Sequence, residues 1–134
     1  VNIIADMGRA GRVSADELRK LTDDAYQAKI AFLREETRRA GRDPRSVRVS
    51  NVLFSFFLVD SEAAAGRMAE RLAPVFGTPP DLVRQSPLVL LGTPEQLVLE
   101  LKRRIGDWGV DQFVFSGGAH TVMRRLREDV LAHV

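Results

Sequence analysis

The chain contains no cysteine. Disulfides and thiolate metal sites are therefore excluded, although that absence says little about compartment. Histidine is nearly as scarce: only His120 and His133 are present, too few to support a zinc site without thiolates. No apolar run approaches the ~20 residues that a membrane span requires, and no signal-peptide pattern is recognised. A membrane span is not expected, and by elimination the cytoplasm is the expected place. Strong charge of either sign is also missing, because 20 Lys and Arg stand against 18 Asp and Glu, a formal net charge of only +2. No Gly-x-Ser-x-Gly elbow and no P-loop occurs. The "GRAGR" of Gly8 to Arg12 has the wrong spacing for a dinucleotide fingerprint.

What is present reads as one domain or part of one, since 134 residues with 45% apolar content suffice for a core only if the elements face one another. The chain opens on "VNIIADM", a continuously apolar β-branched run, and Val1 to Ile4 is expected to be the end of a buried strand. Such a start is read as that of a fragment or a surviving part of a longer chain. Ser14-Ala15-Asp16-Glu17 fits a capping box, and a helix to Ala40-Gly41 is predicted, with Leu18, Leu21, Ala25, Ala28 and Phe32 as its apolar stripe. Val47 to Val59, "VRVSNVLFSFFLV", is the strongest strand signal. Its polar positions do not alternate cleanly and its second half is apolar throughout, as in a strand covered on both faces.

Asp60 or Ser61 is placed to cap the next helix, "SEAAAGRMAERLAPVF", and "GTPPDLVRQSP" reads as a loop, alone or with one helical turn. Leu88 to Gly92 is a short strand or buried extended segment. Thr93-Pro94-Glu95-Gln96 is a strong helix start, with Thr as N-cap, Pro at the first position and Gln closing the box. Val98, Leu101, Ile105 and Trp108 are its expected stripe, and Gly109 its end. Val110 to Ser116 follows as a strand, and Gly117-Gly118 turns into a last helix with Met123, Leu126 and Val130 on one side. Strands alternating with helices imply parallel strands joined by right-handed crossovers. An independent doubly wound sheet takes about five strands. With fewer in hand, the expectation is the C-terminal part, about strands six to eight with their helices, of a TIM (β/α)8 barrel. The whole chain would then be a single partial domain.

The stretch "LLGTPEQLVLELKRRIGDWGVDQFVF" resembles the C-terminal signature of luciferase-like monooxygenases, a family of flavin- and deazaflavin-dependent oxidoreductases on a TIM barrel. The matching residues are Gly92 to Gln96 and Gly109 to Phe115, with "VNIIADM" similar to the family's sixth strand and "RVSNVLFSFFLVDSEAAAGRMAERL" to its seventh strand and helix. The resemblance implies oxidoreductase chemistry carried by FMN or the deazaflavin coenzyme F-420. It also implies that most cofactor contacts lie in upstream sequence, including a Gly-rich phosphate loop. The residues here are then expected to rim the pocket and close the barrel without performing the chemical step, so no catalytic residue is assigned.

In a barrel, function sits at the C-terminal ends of the strands. Three places are candidates. Asn2 to Arg12 follows the first strand, and its Arg9 and Arg12 suit a bidentate grip on phosphate or carboxylate, against the plainer account of a solvated loop. Phe56 to Asp60 offers large apolar side chains for a ring or substrate wall, against ordinary packing on helices. Ser116, Gly117 and Gly118 precede a helix and suit an anion, and His120 beside them could donate a proton, though a lone surface His is the commoner case. The expected partners are a small-molecule substrate and further copies of the chain, with no membrane. The runner-up is a non-catalytic half-barrel that oligomerises and binds a small anion. A nucleic-acid partner at the Arg38 to Arg48 cluster is a weaker third, since a cationic helix end explains that cluster equally well.

Overall fold

The computed structural model describes residues 23–134. Their order is α1 (Asp23–Arg39), β1 (Ser50–Leu53), β2 (Ser55–Leu58), α2 (Glu62–Phe76), α3 (Pro80–Gln85), β3 (Val89–Gly92), α4 (Pro94–Trp108), β4 (Gln112–Phe115) and α5 (His120–Arg125). After α5 the chain continues as a π-turn (Leu126–Val130) and a short 3-10 turn (Leu131–His133). The architecture is mixed α/β, with short parallel strands under helices. The predicted strand Val1 to Ile4 and the capping box at Ser14 lie outside the described residues.

β1 and β2 are one extended segment interrupted at Phe54. β1 pairs with β4 in parallel, Val52 beside Val114 and Leu53 beside Phe115, while β2 pairs with β3 in parallel, Ser55 beside Val89 and Leu58 beside Gly92. One peptide group shows how the two ladders are arranged. The Leu53 carbonyl accepts from Ser116 N–H at 3.0 Å, and the Phe54 N–H donates to the Leu88 carbonyl at 3.1 Å. In a trans peptide those two groups point in opposite directions. β3 and β4 therefore lie on opposite sides of the β1–β2 segment.

The Ser55 N–H donates to the same Leu88 carbonyl at 3.3 Å, so two consecutive donors meet one acceptor. This is a bulge, and it shifts the side-chain alternation by one position. Leu53 and Phe56, three apart instead of two, face the same core. The shift is why Val47 to Val59 shows no clean alternation in the sequence.

Helices cover both faces. On one, α4 and the α5 region supply Leu97, Leu101, Leu126 and Val130 against Leu53 and Leu90. On the other, α2 and α3 bring Ala65, Ala69 and Val83 against Val89 and Leu91. A third cluster joins Tyr26 and Ile30 of α1 to Val49, Trp108 and Val110. The Tyr26 and Trp108 rings lie 4.4 Å apart, and burial pushes the Tyr26 hydroxyl pKa up despite the opposing pull of Arg104.

Two predicted stripes are rotated in the fold. Phe32 is 68% exposed, and α1 buries Tyr26, Ile30 and Thr37 instead. Ile105 faces out, and Arg104, 1% exposed, takes a place in the buried face of α4 with Leu97, Leu101 and Trp108. Arg104 survives burial because every donor is used. Its Nε donates to Glu100 at 2.8 Å, Nη1 to Asn51 Oδ1 at 2.9 Å and the Pro87 carbonyl at 3.0 Å, and Nη2 to the carbonyls of Val89 at 2.9 Å and Ser86 at 3.5 Å. The guanidinium also stands 5.0 Å from the Trp108 ring centre. One side chain thereby pins α4 to β1 and to the start of β3.

In the 77–87 stretch the helical turn is α3, in which Pro80 begins a short helix and Val83 is buried against α2.

Candidate functional site

Because the ladders are parallel, the carboxyl ends of β2, β3 and β4 point the same way. That end of a parallel α/β sheet is where ligands are usually held. A cavity of about 370 Å³ opens there beside β2. It is lined by Phe54 to Val59 of the long strand segment, by Met68 of α2, by Val122 and Arg125 of α5, and by Ser116 and Gly118. Its size falls within the range of small-molecule pockets, about 300–1,000 Å³.

Local chemistry explains the shape. β4 cannot continue along β2, because Gly117 and Gly118 adopt φ of 83° and 111° and turn the chain away. Gly118 also crosses the Phe56 ring closely: a Cβ there would sit 2.6 Å from Phe56 Cζ. Only glycine combines that left-handed backbone with that approach. The Phe56 ring in turn meets Phe115 edge-on, with centroids 5.3 Å apart. Opposite them, Arg125 Nη2 approaches Asp60 Oδ1 at 3.4 Å and its Nε approaches Asp129 Oδ2 at 3.4 Å.

Of the residues singled out in the sequence, Ser116 and Gly118 line this cavity together with the apolar end of the long strand. Gly117 turns the chain beside them. His120 is exposed as the first residue of α5 and is not on the wall. Asn2, Arg9 and Arg12 lie outside the described residues. Arg125, Val122 and Met68 were not anticipated. The apolar stripe Met123, Leu126 and Val130 fixes the phase of the last helical stretch, and it leaves Val122 and Arg125 on the neighbouring face, a signal that the sequence did contain.

The wall chemistry is aromatic and aliphatic with one cation. Among the described residues it includes two hydroxyls, those of Ser55 and Ser116, and no carboxylate or imidazole. Such a pocket binds and orients a flat or extended apolar group. It has no paired acid and base.

A second polar cluster ties the helix starts together. Glu62 at the start of α2 accepts from both Arg84 Nη atoms, the Nη2 bond being 3.1 Å, and from Gln96 Nε2 at 2.7 Å. Arg84 and Gln96 hold the Glu62 carboxyl down to a pKa of about 2. This cluster lies at the surface and its bonds are satisfied internally. The Arg38 to Arg48 cluster is likewise largely engaged with local acids: Arg38 pairs with Glu35, Arg39 with Glu36 at 2.8 Å, and Arg45 with Asp43 at 3.5 Å. Among the described residues no group of three or more metal-ligating side chains converges, and no helix is long and apolar enough to cross a membrane.

Set against models of known protein families, curated proteins and solved structures, the chain matches none.

Proposed function

We propose that this chain is the C-terminal part of a luciferase-like oxidoreductase that uses FMN or a deazaflavin. In this reading its strands belong to the closing portion of a TIM barrel, and its cavity forms part of the rim against which the cofactor ring or the substrate lies. The observation that carries the reading is the aromatic cavity at the carboxyl end of parallel strands, bounded by the Phe56 wall and by the Ser116–Gly118 turn. The capped start of α4 and the Gly109-Val110-Asp111 run into β4 hold the same positions as the sequence signature that suggested the family.

The cavity suits one portion of such a cofactor. Phe56, Phe57 and Met68 offer apolar surface for a flat ring system. Among the described residues Arg125 is the sole cation on that wall and is engaged with Asp60 and Asp129, so no phosphate grip is assigned to it. The flavin ring would supply hydride or oxygen chemistry when bound. The side chains of this chain would orient it and exclude water. Most of the remaining contacts, and the residues of the chemical step, would belong to other sequence, with Asn2, Arg9 and Arg12 the further candidates in this chain.

Lumiflavin, a flavin ring without the phosphate tail, tests this directly. Titrated into the 15N-labelled chain, it is expected to shift the amides of Phe56, Phe57, Ser116 and Gly118. FMN is expected to bind no more than about threefold tighter, since among the described residues the cavity wall offers no free grip on its phosphate. Shifts scattered away from the cavity, or none, would overturn the reading. Low-micromolar FMN affinity would overturn the assignment of the phosphate site to other sequence.

A further inference from the structure

We infer that Asp60 and Asp129 make this cavity selective for uncharged ligands, by holding the Arg125 guanidinium so that a carboxylate or phosphate gains little from it. The inference deepens the reading above and rests on one part of it, that the cavity holds a ligand. It gives that ligand a class: a neutral ring or chain whose polar groups are carbonyls, amides or hydroxyls.

Among the described residues that line the cavity, Arg125 alone carries a charge. An unpaired guanidinium beside aromatic side chains is ordinarily an anion site, because its fork matches the two oxygens of a carboxylate or phosphate. Such a grip takes one of two paired edges, Nε with Nη2 or Nη1 with Nη2. Each edge has a donor already engaged here. Asp129 Oδ2 accepts from Nε and Asp60 Oδ1 from Nη2, both at 3.4 Å. A third carboxylate therefore displaces one aspartate and lies against the other, and the trio already holds one negative charge in excess. The sequence builds both contacts into the site. Asp60 follows Val59, the last lining residue of the strand segment, and Asp129 stands one helical turn beyond Arg125.

Helix energetics does not account for Asp129. In an i, i+4 pair the acid is favoured on the N-terminal side, and here it is on the C-terminal side. A carboxylate near the end of a helical stretch also meets the negative end of the macrodipole. Asp60 is likewise not needed as a cap, since Ser61 caps α2 through the Ala64 N–H. What the two acids share is Arg125. The rest of the lining is uncharged too. Besides aromatic and aliphatic groups it offers the Ser55 and Ser116 hydroxyls, which accept from a hydroxyl or donate to a carbonyl without adding charge. Taking an ion from water onto such a surface is costly unless a partner is free to meet it.

The experiment sets 2-naphthamide against 2-naphthoate, two probes of one shape that differ in charge at neutral pH, each titrated into the 15N-labelled 134-residue chain. 2-Naphthamide is expected to shift the Phe57 and Ser116 amides, and 2-naphthoate to bind about tenfold more weakly. Asp60→Asn together with Asp129→Asn frees the guanidinium. This pair is expected to raise 2-naphthoate affinity about fivefold while leaving that of 2-naphthamide within about twofold. Adding Arg125→Gln to the pair is expected to remove the gain, and so is about 0.5 M NaCl, as screening of an exposed charge requires. Asp60→Asn alone, at an exposed side chain, is expected to give a smaller gain of the same sign and carries the test if the double variant melts early. Equal affinity of the two probes in the wild type would overturn the inference. So would a double variant that leaves 2-naphthoate unchanged or raises both probes together, or the absence of cavity shifts with either probe. Lumiflavin is uncharged, so the two readings separate. 2-Naphthamide binding without lumiflavin binding removes the flavin and leaves the charge selection, whereas lumiflavin binding with equal affinities for the two probes removes the selection and leaves the flavin.

Discussion

Arg104 is the residue on which the described fold depends most. A guanidinium at 1% exposure is tolerated only because the carbonyls at 86, 87 and 89, together with Asn51 and Glu100, take up its donors. Burial raises the Glu100 carboxyl pKa, but the bonds from Arg103 and Arg104 outweigh that effect and hold it below the usual range. Removing Arg104 takes the donor from the buried Val89 carbonyl and from Asn51 Oδ1, while Ser86 keeps its bond from the Val89 N–H, Pro87 its bond from Asn51 Nδ2 and Glu100 its bonds from Arg103. Arg104→Ala is expected to lose about 3–5 kcal/mol in urea unfolding, and Arg104→Lys most of the same, because an ammonium cannot present the fork. An Arg104→Ala loss below about 1 kcal/mol would mean that the network is ornamental. The sequence hid this residue: arginine on a helix is ordinarily solvated, so the stripe was drawn through Ile105. Gly118 is the other sensitive position. Gly118→Ala sets a Cβ against the Phe56 ring in a left-handed backbone, and a loss of about 1–3 kcal/mol is expected in the same assay, with displacement of the Phe56 ring resonances.

At the scale of elements, helix boundaries were the most legible part of the sequence because their causes are local. Thr93 and Gln96 form the reciprocal box, with Thr93 N–H to Gln96 Oε1 at 3.0 Å, and Gly109 closes α4 at φ 62°. Ser61 caps α2 through the Ala64 N–H at 3.2 Å. Thr93→Ala is expected to cost about 1 kcal/mol and Ser61→Ala less, because Gln96 also bonds Glu62 and loses its anchor when the box opens. Equal losses would show that the two caps act independently of that latch. The latch has its own acid signature. The Glu62 carboxyl takes its proton near 4.5 when unfolded and near 2 when folded. Its contribution is therefore complete above 4.5 and disappears as the pH falls toward 2. The stability difference between the wild type and Glu62→Gln should narrow over that window and shrink with salt at neutral pH, as expected for an exposed pair. A difference that stays flat with pH would remove Glu62 from the account. What the sequence could not show at this scale was the bulge at Phe54. Residue type does not mark it, and the broken alternation of Val47 to Val59 does not locate it, since it arises from two N–H groups sharing the Leu88 carbonyl, far along the chain.

For the molecule as a whole, strand pairing was legible as parallel but not as an arrangement, because partners on opposite edges of one segment are set by long-range contacts. Among the described residues the register also leaves an apolar surface partly uncovered. Leu53 and Phe115 are neighbours facing α4 and α5, and so the alternate neighbours Val52 and Val114 point the other way. On that side Val114 is 38% exposed and Phe54 47%. α2 and α3 pack over β2 and β3 instead. An apolar strand pair of this kind is normally covered, in a barrel by the rest of the wall or in isolation by another molecule. The chain alone is therefore expected to self-associate through the Val52–Val114 face. Sedimentation velocity should show the mean mass rising as loading concentration is raised about tenfold, as mass action requires. Val114→Lys should suppress that rise, because it charges the open face. A wild-type chain that sediments as a monomer throughout, with a single cooperative melt, would mean that this face is satisfied as it stands, and the case for a missing remainder of the sheet would fall with it.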